Sequence, residues 1–561
     1  MGALSTPPIT ALDAFLRQES LQADKIYLIQ PMPDGQVIEL SWREVGEQAR
    51  RMASHLRSLG FAAGSQIGLL SKNCAHWIIA DLAIWMAGHV SVPLYPNQTA
   101  DTIRQVLEHS DTCAVFIGKL DDWQNMRSGV PQDMPWIGLP LAPEDANIQP
   151  WQALQDSNSA LEALSVPGAD QLATIVYTSG TTGVPKGVML SFGSMYLSAN
   201  NGLRLFNISA NDRLLSYLPL SHVAERQFVE IASLLSGQQV YFVNSVTTFF
   251  EDARRARPTV FFAAPRIWEN FKLYAEHRHS SAWSRLQMKL PLLAAHKARS
   301  ILADLGLDQV RYAVCGAARL KPTLSNWFAE RGLLIVEAYG MTENCGYSHL
   351  GRPKKIKAGY IGLPNPGVEC RLTAEGEVLV RSRAAMLGYY KDPARTSEVL
   401  DKEGFLHTGD LGEIDQEGFL RLTGRAKDIF KTSKGRYVTP VPIEALLLDD
   451  SLVEDACVVG HDLPQPLALI CLSDAAADES RDQLKKQLQA LLQSVNEKLQ
   501  RSEQLTCLVV IRDQWNVEGG FRTPNQKLKR NVVEATYQGE LHLWLVSGDT
   551  IVWQQDTKEK A

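Results

Sequence analysis

The chain has 561 residues and a formal net charge of −6; 45% of its residues are hydrophobic and 21% are charged. A chain of this length exceeds what one compact core usually organises, so we expect two or three globular units. The small negative charge gives no electrostatic reason to expect nucleic acid as a partner.

The cysteine pattern and the most apolar region indicate where in the cell the protein is expected. Eight cysteines are scattered singly, without the spacing of a metal or redox site, which predicts reduced thiols in a cytoplasmic protein. Asp81 and His89 interrupt the most apolar region, 77–95, so we predict a buried helix and strand there rather than a membrane span. Peripheral contact at the inner face of a membrane stays open.

Helix and strand patterns alternate along the first part of the chain. Residues 41–44, SWRE, form a capping box before a helix that Gly60 ends. Continuous apolarity then predicts strands covered on both faces, and hence α/β layers with parallel sheets. These runs lie at 66–70, 173–177, 240–243, 259–263, 310–314 and 333–336.

The pattern of residue types changes after about residue 365. Residues 376–381, GEVLVR, alternate as a half-exposed strand does, and turn residues become frequent, which predicts a β-rich subdomain. We predict a first domain at 1–425, a small α+β domain at 426–545 and a polar tail at 546–561.

Residues 174–187, TIVYTSGTTGVPKG, join an apolar run to a turn of hydroxyl residues and glycines that carries one lysine, Lys186. Open backbone N–H groups, hydroxyl donors and one positive charge suit a polyphosphate; a flexible surface loop is the alternative. The stretch is not a P-loop, because that motif needs Ser or Thr after Gly-Lys, whereas Pro185 precedes Lys186 and Gly187 follows it.

An ordered set of motifs resembles the AMP-forming adenylating enzymes, which include acyl-CoA synthetases, firefly luciferase and the adenylation domains of peptide synthetases. The resemblance spans most of the chain and is strongest to long-chain fatty acyl-CoA synthetases. It implies an α/β fold with a large N-terminal domain of layered subdomains and a small, mobile α+β C-terminal domain. The matching segments are YTSGTTGVPKG (177–187), YLPLSHVAER (217–226), PTVFFAAPRIWE (258–269), VCGAARL (314–320), EAYGMTE (337–343), FLHTGDLG (405–412), LTGRAKDIFKTSKGRYVTP (422–440) and RTPNQKLKR (522–530).

The resemblance implies two chemical steps. A carboxylate attacks the α-phosphorus of ATP, pyrophosphate leaves, and a thiol then displaces AMP from the acyl-adenylate. Charge develops first on phosphate oxygens and then on a carbonyl, so donors and cations should face those positions.

The implied phosphate and metal ligands fall in two motifs. Glu343 should ligate Mg²⁺, and Thr342 should donate to the α-phosphate. The residues implied for the β- and γ-phosphates are Thr178, Ser179, Gly180, Thr181, Thr182, Gly183 and Lys186.

The implied nucleoside site uses residues from four motifs. Tyr339 would stack on adenine, and Asp410, which we expect after a turn, would accept from both ribose hydroxyls, with a turn cap as its alternative role. Arg425 should also reach the ribose. The remaining adenine-pocket residues are Gly316, Ala317, Ala318, Glu337, Ala338 and Gly340. Tight helix–strand packing is the alternative role of the first three.

The resemblance also assigns residues to the two reacting ends. Lys527 matches the lysine that contacts the carboxylate and α-phosphate, which leaves Lys529 as an exposed neighbour. His222 resembles the residue beside the substrate carboxylate, although it could be a structural histidine. Lys427 matches the interdomain hinge, and Gly435 would lie beside the pantetheine channel after the small domain swings.

The sequence therefore predicts an ATP- and Mg²⁺-dependent fatty acid–CoA ligase for medium or long chains. The alternatives are transfer to an acyl carrier protein, a reaction that stops at the adenylate, and a non-catalytic nucleotide-binding relative. Neither chain length nor oligomeric state has a signal in the sequence.

Overall fold

The computed structural model describes residues 10–164, 166–178, 185–281, 287–288, 290–473, 476, 479–512, 514–516, 519–522 and 528–557. Its strands are β1 (Ile26–Pro31), β2 (Val37–Ser41), β3 (Gln66–Leu70), β4 (Val90–Leu94), β5 (Thr112–Ile117), β6 (Trp136–Gly138), β7 (Ile148–Pro150), β8 (Leu172–Thr178), β9 (Lys186–Ser191), β10 (Arg213–Ser216), β11 (Gln239–Phe242), β12 (Val260–Ala263), β13 (Tyr312–Cys315), β14 (Ile335–Tyr339), β15 (His349–Leu350), β16 (Leu363–Pro364), β17 (Glu369–Leu372), β18 (Glu377–Arg381), β19 (Gly388–Tyr389), β20 (Leu406–Ile414), β21 (Leu420–Arg425), β22 (Phe430–Lys431), β23 (Tyr437–Val438), β24 (Val453–Val459), β25 (Leu467–Leu472), β26 (Leu508–Val510) and β27 (Ile551–Trp553).

The helices connect these strands and cover the sheets. They are α1 (Ala11–Gln22), α2 (Trp42–Ser58), α3 (Ala75–Ala87), α4 (Ala100–His109), α5 (Trp123–Met126), α6 (Trp151–Ser157), α7 (Phe192–Leu205), α8 (Val223–Glu225), α9 (Ala232–Ser236), α10 (Phe249–Ala256), α11 (Pro265–Arg278), α12 (Pro291–Asp304), α13 (Pro322–Ala329), α14 (Pro393–Val399), α15 (Pro440–Leu448), α16 (Arg481–Asn496), α17 (Arg530–Tyr537), α18 (Leu541–Val546) and α19 (Gln554–Thr557), with a π-helical turn at Arg226–Ile231 and 3-10 turns at Arg127–Gly129, Thr342–Asn344 and Ala426–Asp428. Within the described ranges, no helix is long and apolar enough to cross a membrane.

The largest sheet has the strand order β19-β9-β8-β4-β3-β5-β6-β7. The strands from β8 to β7 pair in parallel. At the other end of the sheet, β9 pairs antiparallel with β8, and β19 pairs antiparallel with β9. Every residue of β4 is buried, and α3 packs against the same core with nearly all of its residues buried. The predicted parallel sheet, covered on both faces, is therefore confirmed.

Three further sheets, one of them fully antiparallel, contribute residues to the cleft described below. Their orders are β10-β11-β1-β2, β12-β13-β14-β15-β16 and β17-β18-β20-β21. Pairing with β12 sets the position of β13, with Val260 opposite Tyr312. Consequently β13 and β14 begin two residues later than the apolar runs at 310–314 and 333–336 predict.

The C-terminal sheet, of order β24-β25-β26-β27, corrects the expected polar tail. Residues Ile551–Trp553 pair in parallel with β26, and both Ile551 and Val552 are buried. A strand of three residues is too short for a clear alternating pattern, so its partner strand decides its structure. The division of the chain near residue 425 stays a prediction.

Helix 223–236, which is the continuous run of α8, the π turn and α9, is anchored by a buried arginine. The Nε of Arg226 lies 3.0 Å from Glu230 Oε2, its Nη2 contacts Asp81 of α3, and its Nη1 donates to Thr174 of β8 over 2.7 Å. The side chain of Arg226 is 1% exposed. Burial and the charge of Asp81 raise the pKa of Glu230 well above its usual range, which favours a neutral Glu230 beside one ion pair.

A second buried carboxyl, Glu225, supports the turn that leads into helix 223–236. Its Oε1 accepts from the Ser216 hydroxyl and the Tyr217 amide, both over 2.9 Å, and from Asn73 Nδ2 over 3.2 Å. Asn73 also accepts from the Leu220 amide. Burial raises the pKa of Glu225 from 4.5 to about 8, against the opposing effect of these hydrogen bonds.

Replacing Arg226 by methionine is expected to lower the free energy of unfolding by about 3–5 kcal/mol, because Asp81 would keep a buried charge without its counterion. The control is Arg43→Met, whose exposed pair with Asp24 should contribute less than about 1 kcal/mol. Urea denaturation midpoints at unchanged slope measure both changes. Equal losses in the two variants would contradict the anchoring role.

The raised pKa of Glu225 predicts a pH dependence of stability. The folded state holds a proton that the unfolded state releases near pH 4.5, so the stabilisation is complete below that pH and is lost as the pH rises through about 8. Over that interval Glu225 should contribute up to about 1.4 kcal/mol of lost stability per pH unit. Glu225→Gln should remove this part of the slope when unfolding is measured from pH 5 to pH 8, and identical slopes would refute the prediction.

Candidate active site

One cleft of 2610 Å³ collects most of the predicted site residues. Its lining includes Thr178, Lys186, His222, Gly316, Ala317, Ala318, Glu337, Ala338, Tyr339, Gly340, Thr342, Glu343, Asp410, Arg425 and Lys427. Gly435 lies in the β22–β23 turn and is not part of this lining. Six predicted residues fall outside the described ranges: Ser179, Gly180, Thr181, Thr182, Gly183 and Lys527.

The hydroxyl-rich stretch joins two antiparallel strands of the largest sheet. Thr178 at the end of β8 stands opposite Lys186 at the start of β9. Burial lowers the pKa of Lys186, and the positive charges of Arg395 and Lys427 lower it further, against the effect of Glu343. Three cationic side chains therefore act on one region of the cleft, where they favour an anionic ligand such as a polyphosphate.

The predicted metal ligand, Glu343, lies in the 3-10 turn Thr342–Asn344 and is 9% exposed. Its Oε1 accepts a hydrogen bond of 2.8 Å from the Tyr389 hydroxyl. The described residues contain no group of three His, Cys, Asp or Glu that could hold a metal. A single carboxylate fits Mg²⁺, which is often bound through one protein carboxylate together with phosphate oxygens and water.

The predicted adenine segment follows β13 in a backbone conformation that brings it close to its neighbours. A Cβ on Gly316 would lie 2.8 Å from the Phe262 ring, and Ala317 has a φ of +69°. An alanine at positive φ is uncommon and marks a constrained turn. Ala317 and Ala318 are exposed on the cleft side, so the backbone of this turn is accessible to a flat ligand.

Asp410 lies within β20 rather than after a turn, which corrects the sequence-based placement. Its Oδ2 accepts from the Tyr339 hydroxyl over 2.7 Å, and its Oδ1 lies 2.9 Å from Arg425 Nε. Cross-strand pairing places Arg425 of β21 opposite Asp410. Each carboxylate oxygen keeps acceptor capacity, so Asp410 can still accept from the two hydroxyls of a ribose.

His222 caps the start of helix 223–236 and lines the cleft at the same time. Its Nδ1 accepts from the Ala224 amide over 3.2 Å, so the proton of a neutral ring resides on Nε2. His222 therefore has a structural role as a helix cap, which the sequence left open. The same hydrogen bond leaves Nε2 as the ring nitrogen that carries the proton of the neutral ring.

Described residues before and after the stretch 523–527, which contains Lys527, line the same cleft. They include Arg522, Leu528 and Lys529. Lys529 is half-buried and is the N-cap residue of α17, so the expectation of an exposed neighbour is wrong. Arg530 fixes this segment, because it donates to the Val458 carbonyl over 2.8 Å and pairs with Glu444.

Sequence reasoning missed two side chains that act on the predicted site. Tyr389 of β19 holds Glu343, and its ring lies 5.4 Å from Lys186 Nζ. Arg395 of α14 contributes positive charge near Lys186. Neither residue stands in a motif that we singled out, and only the pairing of β19 with β9 brings Tyr389 to the site.

Two family models match consecutive parts of the chain. The model described as AMP-binding enzyme matches residues 15–390, and the model described as AMP-binding enzyme C-terminal domain matches residues 427–543. Long-chain-fatty-acid–CoA ligase FadD15 of Mycobacterium bovis is 28% identical, over 92% of this chain and 94% of its own length. Long-chain-fatty-acid–CoA ligase 6 of Rattus norvegicus is 29% identical, over 88% of this chain and 80% of its own length.

A solved structure shares the fold. The A-PCP didomain of carboxylic acid reductase from Segniliparus rugosus, in complex with AMP, has a TM-score of 0.78 at 23% identity, with 96% of this chain and 82% of that chain covered. The first family model alone spans more than half of the chain. The chain therefore belongs to the AMP-binding enzyme family.

Proposed function

We propose that the protein is an ATP-dependent fatty acid–CoA ligase that forms an acyl-adenylate with release of pyrophosphate and then a thioester with CoA. The observation that carries the proposal is that apolar side chains line the same cleft as the polar residues implied for the nucleotide. Phe228 and Phe262 stack there with ring centroids 4.7 Å apart. The apolar residues of the cleft lining, against which we propose that the acyl chain lies, include Phe206, Leu214, Phe228, Val260, Phe262 and Val314.

The polar residues support the first step through position and charge. Lys186, Lys427 and Arg395 offer positive charge where a triphosphate would lie, and Thr342 offers a hydroxyl at the same end of the cleft. Mg²⁺, when held by Glu343, would neutralise charge on the phosphates. His222 lines the same cleft, and we propose that its imidazole orients the substrate carboxylate.

The small C-terminal domain supplies the mobile part of the proposal. Its residues Arg522, Leu528 and Lys529 line the cleft, and Arg266 of α11 lies 3.8 Å from Glu454 of β24. We propose that this arrangement serves adenylation. A swing about Lys427 would then bring Gly435 towards the thiol.

A purified sample given Mg²⁺, ATP and a fatty acid is expected to catalyse ATP–pyrophosphate exchange and, with CoA, to yield AMP and a thioester. Release of ADP would contradict the proposal. The same assay separates the alternatives for the acceptor: a thioester only with acyl carrier protein indicates a carrier ligase, and accumulation of acyl-AMP with either thiol indicates a reaction that stops at the adenylate. Sedimentation with vesicles tests peripheral membrane contact.

Lys527→Ala is expected to slow adenylate formation about 10²- to 10³-fold, because a cation that stabilises charge on the α-phosphate would be lost. Thioester formation from supplied acyl-adenylate should fall much less. Lys529→Ala is the matched control and should show the smaller loss in exchange. Equal losses of both half-reactions in Lys527→Ala would show that the lysine does not act in adenylation.

A further inference from the structure

Backbone hydrogen bonds fix the segment 386–390, which contains β19, beside both the predicted metal ligand and the predicted phosphate lysine. The Met386 amide donates to the Glu343 carbonyl over 2.8 Å. The Tyr390 amide donates over 2.8 Å to the Gly187 carbonyl of β9, the strand that begins with the phosphate lysine. The segment therefore has one position relative to both sides of the site.

The side chain of Tyr389 reaches both of these residues. Its hydroxyl donates to Glu343 Oε1 over 2.8 Å, and its ring centroid lies 5.4 Å from Lys186 Nζ. All three residues line the cleft. Tyr389 is 5% exposed, and its amide donates to Thr396 Oγ1 of α14 over 2.9 Å, so its ring and backbone are both held in place. One fixed side chain thus contacts a carboxylate and a cation of the same site.

The hydrogen bond from Tyr389 makes the two carboxylate oxygens of Glu343 different. Oε1 accepts from the phenol hydroxyl, whereas Oε2 accepts no hydrogen bond from the described residues. Oε2 is also not one of the fully buried polar atoms that lack a partner, so it keeps surface that a ligand can reach. A hydrogen bond to a metal-binding side chain typically orients that side chain for the metal.

Lys186 and Glu343 carry opposite charges but do not pair with each other. Burial lowers the pKa of Lys186, and the charge of Glu343 opposes this shift, so the two side chains are close. Among the described residues, however, no ion pair joins them. The face of the Tyr389 ring attracts the ammonium group, and its hydroxyl takes one carboxylate oxygen. Both charges are therefore held by the tyrosine instead of by each other.

We propose that Tyr389 is a positioning residue that keeps Lys186 and Glu343 apart, so that Glu343 Oε2 is available to Mg²⁺ and Lys186 is available to the phosphates. The inference rests on the proposed function, which supplies both ligands. Without the hydroxyl, Oε1 would lose its donor and Glu343 would turn towards Lys186. The nucleotide and the cation would then have to separate an ion pair before they bind, which weakens their binding.

The test measures ATP binding by calorimetry, with saturating Mg²⁺ and with a chelator, so it does not depend on turnover. Tyr389→Phe keeps the ring and removes the hydroxyl. The dissociation constant for ATP with Mg²⁺ should rise about 10- to 100-fold, because a partner that orients a metal ligand is lost. It should rise by less with the chelator, where no cation joins Glu343 to the phosphates. An unchanged constant with Mg²⁺, or equal rises under both conditions, overturns the inference.

Tyr390→Phe is the matched control. It removes the same atom from the next residue, whose hydroxyl donates to Asp111 Oδ2 over 2.9 Å outside the lining of the cleft. Both dissociation constants should stay within about twofold of the wild-type values. A loss as large as that in Tyr389→Phe would show a general effect on packing and would overturn the inference.

Glu343→Gln provides a second test, because a neutral amide neither binds Mg²⁺ well nor pairs with Lys186. In the Glu343→Gln protein, Tyr389→Phe should therefore cause almost no further change in ATP binding. Additive losses would show that Tyr389 acts independently of the carboxylate, and the inference would fail.

The remaining outcomes also decide the matter. A Tyr389→Phe protein that does not fold would assign the hydroxyl to the stability of the fold and overturn the inference. If the wild-type protein binds ATP and catalyses exchange, the proposed function stands whatever the variants show. If the wild-type protein binds no ATP under either condition, the proposed function and the inference both fail.

Discussion

The guanidinium of Arg226 is the point at which three parts of the molecule meet. It contacts Asp81 of α3, Thr174 of β8 and Glu230 of its own helix, and its side chain lies against the rings of Trp77 and Trp85. A buried guanidinium requires all of these partners, because any unpaired charge in the core is strongly destabilising. Helix 223–236 therefore has one position relative to the largest sheet. That position sets both His222 and Gln227.

Two of the acidic residues that line the cleft, Asp410 and Glu343, are held in a common way. Each carboxylate accepts a hydrogen bond from a tyrosine: Asp410 from Tyr339 over 2.7 Å and Glu343 from Tyr389 over 2.8 Å. A phenol hydroxyl orients a carboxylate without neutralising its charge. The acids thus keep their capacity to accept from a ribose or to bind a hard cation, while their side chains are already fixed before the ligand arrives.

Local patterns in the sequence were sufficient for some elements and for the motifs. The capping box at Ser41 and Glu44 and the strand Gln66–Leu70 follow from neighbouring residues, and the ordered motifs indicated many of the residues that line the cleft. The partners of these residues, by contrast, follow from the three-dimensional arrangement. Arg226 and Asp81 are 145 positions apart, Tyr389 and Glu343 are 46 apart, and β27 owes its structure to β26. Hydrogen bonding, burial and charge pairing depend on distances in space, and the residue pattern along one segment carries no information about those distances.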